Sequence, residues 1–177
     1  MKEELTKLFE KVDCNSVAIS TPEKPIVGTE GLVTCFGLLL YDSEAHEAIV
    51  AHIGVEDDDT HKAIAGYPNI KWYKIVNDAL DLIKLDKKRI FKYVIIPGFD
   101  SKISDPHKIK EKLIRYLTNT SSDIIEFVPF EDNSNIDIKI SLEFLSNQFA
   151  FDSRSGKFVS HDVFYGMDYI NINSKSR

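Results

Sequence analysis

The fold turns on one stretch: Phe36-Gly37-Leu38-Leu39-Leu40-Tyr41, then Asp42-Ser43-Glu44-Ala45-His46-Glu47, then Ala48-Ile49-Val50-Ala51-His52-Ile53-Gly54-Val55. Two apolar runs of strand length flank a polar connector, which is the pattern of an antiparallel hairpin. Upstream, Val17 to Ser20 reads as a strand, and Thr21-Pro22-Glu23-Lys24-Pro25 breaks any ladder. Residues 26–37 mix β-branched side chains with Gly28, Gly31 and Gly37, so tight bends or close approaches are expected there. At the N-terminus, Leu5, Leu8, Phe9 and Val12 follow helical spacing, predicting a helix over 2–12.

Downstream, residues 70–85 carry the clearest helical stripe, with Trp72, Tyr73, Val76, Ala79, Leu80 and Ile83 on one face. Tyr93 to Ile96 is a short buried strand closed by Pro97-Gly98. Asp105-Pro106 opens a second helix with Ile109, Leu113 and Leu117 inward. Ile124 to Phe130 and Ile136 to Ile140 read as strands. Phe149 to Phe151 and Lys157 to His161 flank a hairpin turn at Asp152-Ser153-Arg154-Ser155-Gly156. Antiparallel pairs alongside strand–helix alternation predict an α/β (α+β) fold: a mixed, largely antiparallel β sandwich flanked by helices. No linker or repeat divides residues 1–177, which read as one domain with a helical extension over 1–15 and a frayed tail over 171–177.

The chain has 177 residues, 43% of them hydrophobic and 28% charged, an ordinary globular balance. Lys plus Arg is 22 against 28 Asp plus Glu, a net charge of −6. With a negative net charge and only one short basic stretch, nucleic acid and anionic membrane surfaces are poor partners. No apolar stretch reaches membrane-spanning length, and Met1-Lys2-Glu3-Glu4-Leu5 is too charged for a signal peptide. The expected setting is the cytoplasm, or a host cell's cytoplasm reached by export without such a signal.

The chemistry-bearing pattern lies in the same stretch. If the two apolar strands pair, His52 lies across from Cys35, within reach of its thiol, since neighbouring strands run about 4.8 Å apart. A loop bending at Gly31 would return Thr29 to the second ring nitrogen and fix the tautomer. The plain alternative is that Cys35 is a small buried hydrophobe, His52 a satisfied core residue, or Cys35 a disulfide partner of Cys14.

The run from Ile19 through Gly28-Thr29-Glu30-Gly31-Leu32-Val33-Thr34-Cys35-Phe36-Gly37 to Tyr41-Asp42, continued to Ala51-His52, resembles the chemoreceptor glutamine deamidases, the CheD family. Ile96-Pro97-Gly98 is similar to a glycine turn of that family, and Phe151 to Val159 to its final hairpin. The specific part of the resemblance covers residues 19–55. Val33-Thr34 stands where that family has Gly-Ser, and residues 140–149 lack its glycine pair and arginine. Glutamine-deamidating toxins of the cytotoxic necrotizing factor type share the implied fold and Cys–His pair.

The resemblance implies a Cys35 nucleophile, a His52 base, and Thr29 as the group that orients it. It further implies an oxyanion site drawn from the Cys35 amide and the loop before it, with Gly31, Val33 and Thr34 around the substrate. The implied partner is a protein presenting an exposed glutamine, and the reaction needs no metal or organic cofactor. An activated thiol at Cys35 and an ordinary one at Cys14 is the corresponding expectation. Glu56-Asp57-Asp58-Asp59 with His61 lacks calcium-loop spacing and reads as a solvated loop; His46, His107 and His161 read as surface residues. The Lys84–Arg89 basic run, read as lying at the preceding helix's C-terminus, is expected to interact favourably with its dipole. Two other functions compete: a catalytically inactive module of the same fold that binds a protein, and a Cys–His amidase for small amides.

Overall fold

The computed structural model describes residues 7–33, 35–54, 72–98, 106–130, 139–141 and 146–159. The hairpin forms as expected: β4 (Phe36–Asp42) pairs antiparallel with β5 (Glu47–Ile53). Nearly every residue of both strands is buried, because this hairpin is the centre of a sheet covered on both faces. Its order is β2-β5-β4-β6-β7, with β2 at Ser16–Ile19, β6 at Arg89–Ile96 and β7 at Ile125–Pro129. Only the β6–β7 pair is parallel. The helix between those two strands, α2 (Pro106–Thr120), is the crossover that a parallel pair requires.

A second sheet takes the order β1-β3-β9-β10, with β8 also on β9. Its strands are β1 (Phe9–Val12), β3 (Ile26–Leu32), β8 (Lys139–Ser141), β9 (Ser146–Asp152) and β10 (Lys157–Phe158). The period of two sorts the core into layers. Leu39, Tyr41, Val50, Val94 and Ile96 of the first sheet pack with Val12, Val27, Leu32, Phe149 and Phe151 of the second. The intervening residues, Leu38, Leu40, Ile49, Ala51, Ile53 and Ile95, pack instead on Ile75, Val76 and Ala79 of α1 (Trp72–Asp81) and on Leu113 and Leu117 of α2. The result is an α+β sandwich of two mostly antiparallel sheets, with helices on the outer face of one. Among the described residues, no helix is long and apolar enough to cross a membrane.

The expected helix over 2–12 is corrected over its last four residues by strand β1; Lys7 is helical, and residues 2–6 lie outside the described residues. The residues of β1 pair in parallel with Ile26 to Thr29, and sheet pairing overrides a helical spacing that rests on four apolar residues. The run over 84–89 lies beyond the last turn of α1. α1 ends at Asp81, and Arg89 begins β6, buried in ion pairs with Asp42 at 2.8 Å and Glu47 at 2.7 Å. β6 is also longer than expected. Residues 56–59 and 61, His161, and the tail over 171–177 lie outside the described residues, and the strand expected over 136–140 is described only from Lys139.

Candidate active site

Side-chain alternation decides where the chemistry sits. On β5, Ile49, Ala51 and Ile53 face the helices, so Val50 and His52 face the opposing sheet. On β3, Val27 faces that same layer, and so does Thr29 two residues later. Cys35 precedes β4 in register with Gly37, Leu39 and Tyr41, and it packs in the intersheet layer with them. Thr29, Cys35 and His52, carried on or beside three different strands, thus meet at one end of the sandwich.

Thr29, fully buried, has its hydroxyl 2.7 Å from His52 Nδ1 and 2.7 Å from the Val12 carbonyl oxygen. A hydroxyl has a single hydrogen, and the carbonyl can only accept it. Thr29 therefore donates to Val12 and accepts from His52 Nδ1–H. That leaves the imidazole lone pair on Nε2, which is buried without a hydrogen-bond partner. His52 is 3% exposed and Cys35 8% exposed. The sulfur and imidazole ligand atoms of Cys14, Cys35 and His52 lie within 4.8 Å of one another.

The pairing register differs from the simplest expectation. Gly37, not Cys35, is directly across from His52, and Cys35 lies two residues before it on the same face. A Cβ at Gly37 would fall 2.7 Å from Cε1 of Phe149, so glycine here lets that ring close over the layer beside the imidazole. Gly31 has φ 72° and lies in a register break of β3 between Thr29 and Leu32. Such bulges re-aim the chain beside sites. The Val33 amide donates to the Gly31 carbonyl at 3.0 Å, so this tight turn already uses that N–H, and Val33 is 36% exposed. Thr34 lies outside the described residues.

Two parts of the site escaped the sequence reading. The first is Gly98: a Cβ there would fall 2.3 Å from the Val33 oxygen and 2.8 Å from the Cys35 oxygen. The end of β6 is therefore a backbone shelf under the cysteine loop, and Asn147 holds it by donating from Nδ2 to the Pro97 oxygen at 2.9 Å. The second is Cys14, whose sulfur is 3.9 Å from that of Cys35. It sits in the β1–β2 turn, where Asn15 has φ 56°, donates its amide to the His52 oxygen at 2.8 Å, and accepts from the Gly54 amide through its side chain at 2.9 Å. The turn is thereby fastened to both ends of the His52 segment.

The sequence reading expects an ordinary thiol at Cys14, and there the pKa is lowered instead. A hydrogen bond from the Cys35 thiol, joined by the neighbouring imidazole and the Asn15 amide, outweighs burial and holds Cys14 at about 5 instead of 9.0. Cys14 is therefore a thiolate near neutral pH. No protein-family model matches this chain, and no curated protein matches it.

Proposed function

We propose that this protein is a cysteine-dependent protein glutamine deamidase. The carrying observation is the Val12–Thr29–His52 hydrogen-bond chain, which presents an unpartnered Nε2 beside the sulfurs of Cys14 and Cys35. An imidazole held in one tautomer by a hydroxyl, with its lone pair on the thiol side, is what a thiol nucleophile needs from its base. The resemblance of residues 19–55 to the chemoreceptor glutamine deamidases supports the same assignment.

In this reading the Cys35 thiol gives its proton to His52 Nε2, and the sulfur attacks the side-chain carbonyl carbon of a protein glutamine. The carbon–oxygen π pair moves onto oxygen. Backbone amides of the cysteine loop stabilise that oxyanion, and losing one such donor typically costs about 10²–10³ in rate. The Val33 amide is engaged with the Gly31 carbonyl, so this reading looks to the rest of the cysteine loop for its donors. Collapse breaks the C–N bond, the proton on Nε2 leaves with ammonia, and a thioester remains. Water then gives up a proton to Nε2, attacks the thioester, and releases glutamate and the Cys35 thiol.

The test is mass spectrometry of bacterial and mammalian cell extracts, freed of small molecules and incubated with wild-type protein or Cys35→Ala. Glutamine-to-glutamate conversion at discrete sites with wild type alone is the expected result. Conversion that is equal with Cys35→Ala, or absent from both, overturns the proposal.

A further inference from the structure

Cys14 has no task in the reaction just described, yet the fold fastens it beside the other two groups. The β1–β2 turn carrying it is tied to His52 through Asn15, and its sulfur lies 3.9 Å from that of Cys35. Two thiolates bound at about 2.3 Å to one tetrahedral ion stand about 3.8 Å apart. The observed separation thus matches two corners of such a site without rearrangement. A third corner is available, since His52 Nε2 is buried and has no hydrogen-bond partner. All three donor atoms fall within 4.8 Å of one another.

The surroundings suit a soft ion. A ligating histidine generally donates its other ring N–H to a fixed acceptor, which sets both tautomer and ring orientation. Thr29, itself anchored on the Val12 carbonyl, is that acceptor. Among the described residues, no Asp or Glu joins the cluster, so a hard oxygen-seeking ion such as calcium or magnesium has no claim on it.

We infer that Cys14, Cys35 and His52 form a binding site for a thiophilic divalent cation of the zinc class, with an exchangeable water as fourth ligand. Binding itself is independent of the deamidase reading; its consequence rests on that reading. An ion on Cys35 and His52 occupies the nucleophile's lone pair and the base together, so the loaded protein cannot begin the reaction. The ion would then be a reversible inhibitor, and Cys14 the residue that makes the site chelating.

The test uses cobalt(II) as a spectroscopic probe on the full, reduced chain. Titration should give the ligand-field bands of a tetrahedral ion and a thiolate-to-cobalt charge-transfer band, saturating at one ion per chain and bleached by zinc. Cys14→Ser and Cys35→Ser should each remove about half of the charge-transfer intensity. Thr29→Val, which leaves all three ligands in place, should weaken binding roughly 10- to 100-fold. Circular dichroism and melting of each variant identify any that fail to fold, and the remaining variants then decide. Absence of the charge-transfer band, or a band indifferent to both serine variants, overturns the site. Glutamine conversion by metal-free protein, assayed with and without zinc, tests the consequence separately: intact cobalt bands with zinc-insensitive conversion overturn the inhibitory role. No conversion even without metal is a failure of the deamidase reading and leaves the spectroscopic result standing.

Discussion

Thr29 has one hydroxyl hydrogen and two claimants within 2.7 Å, and that arithmetic gives His52 its tautomer. Replacing Thr29 with valine keeps the β-branched shape but leaves the Val12 carbonyl and the His52 N–H buried without partners. Each such orphan costs about 1–3 kcal/mol. The imidazole would also be released to turn or to move its proton. We expect Thr29→Val to lower kcat for glutamine conversion roughly 10- to 100-fold, part of the ~10²–10⁴ that positioned acid–base catalysis supplies. Thr29→Ser should recover most of it, because it restores the hydroxyl. A melting curve taken beside the rate separates the effects: if serine restores the melting temperature but not the rate, Thr29 is packing and not positioning. The grouping of Thr29, Cys35 and His52 could be read from the chain because two apolar runs flanking a short connector must pair as a hairpin, although the exact register, Gly37 opposite His52, could not. Cys14 could not. Its place depends on a turn whose Asn15 seats against residues 52 and 54, and a contact between non-neighbouring segments leaves no periodic trace.

The cysteine loop between β3 and β4 is shaped from two sides, by the bulge at Gly31 and by the β6 end at Gly98. The two glycines do different jobs, and substitution should show it. At Gly31 an added Cβ meets nothing within 4 Å, but φ is 72°, so Gly31→Ala costs backbone strain of about 1–2 kcal/mol and little else. At Gly98 the Cβ would collide with the Val33 and Cys35 carbonyl oxygens, backbone atoms that cannot rotate away. Gly98→Ala should cost about 1–3 kcal/mol as an overpacking change and displace Cys35. Glutamine conversion should therefore fall at least tenfold more than in Gly31→Ala at matched stability, measured below both melting transitions. Equal losses would mean that β6 does not support the loop. The sequence showed Pro97-Gly98 as a strand terminator and as a turn of the resembled family, but not as a support for the cysteine loop, since nothing local reveals what a glycine faces. The same limit explains β1. Four apolar residues at helical spacing also fit a short strand, and the parallel partner that decides between them, β3, is 17 residues further along. The β4–β5 hairpin needed no such help, because connector and apolar runs are adjacent.

Across the whole sandwich, polar groups divide between the two ends of the central hairpin. The site occupies the end where β4 begins and β5 finishes. At the other end Tyr41 donates to the Ser153 oxygen at 3.0 Å, Ser153 donates to the Pro25 oxygen at 2.7 Å, and Arg89 bridges Asp42 and Glu47. Seven strand residues at about 3.3 Å each put some 23 Å between them, beyond a Debye length in ordinary buffer. Changes at Arg89 should therefore alter stability and leave the chemistry alone. Burial pushes the Asp42 carboxyl up, but the Arg89 N–H, the Ala45 and Glu44 amides and the guanidinium charge together hold it below the usual carboxylate range. Asp152 is likewise lowered by Arg154, against its own burial. A carboxyl with a depressed folded pKa contributes stability above its unfolded value, near 3.8, and loses it as pH falls through the folded value. Wild-type stability should accordingly decline on acidification below about pH 5. Arg89→Met removes the partner and strands a buried carboxylate, which typically costs about 3–5 kcal/mol at neutral pH. It also reverses the sign for Asp42, whose pKa then rises above the unfolded value, so acidification relieves the variant where it harms the wild type. Urea denaturation between pH 7 and 4 should show the two stabilities converging as pH falls. A constant gap across that range would show that the Arg89–Asp42 charge interaction does not hold this end of the sandwich.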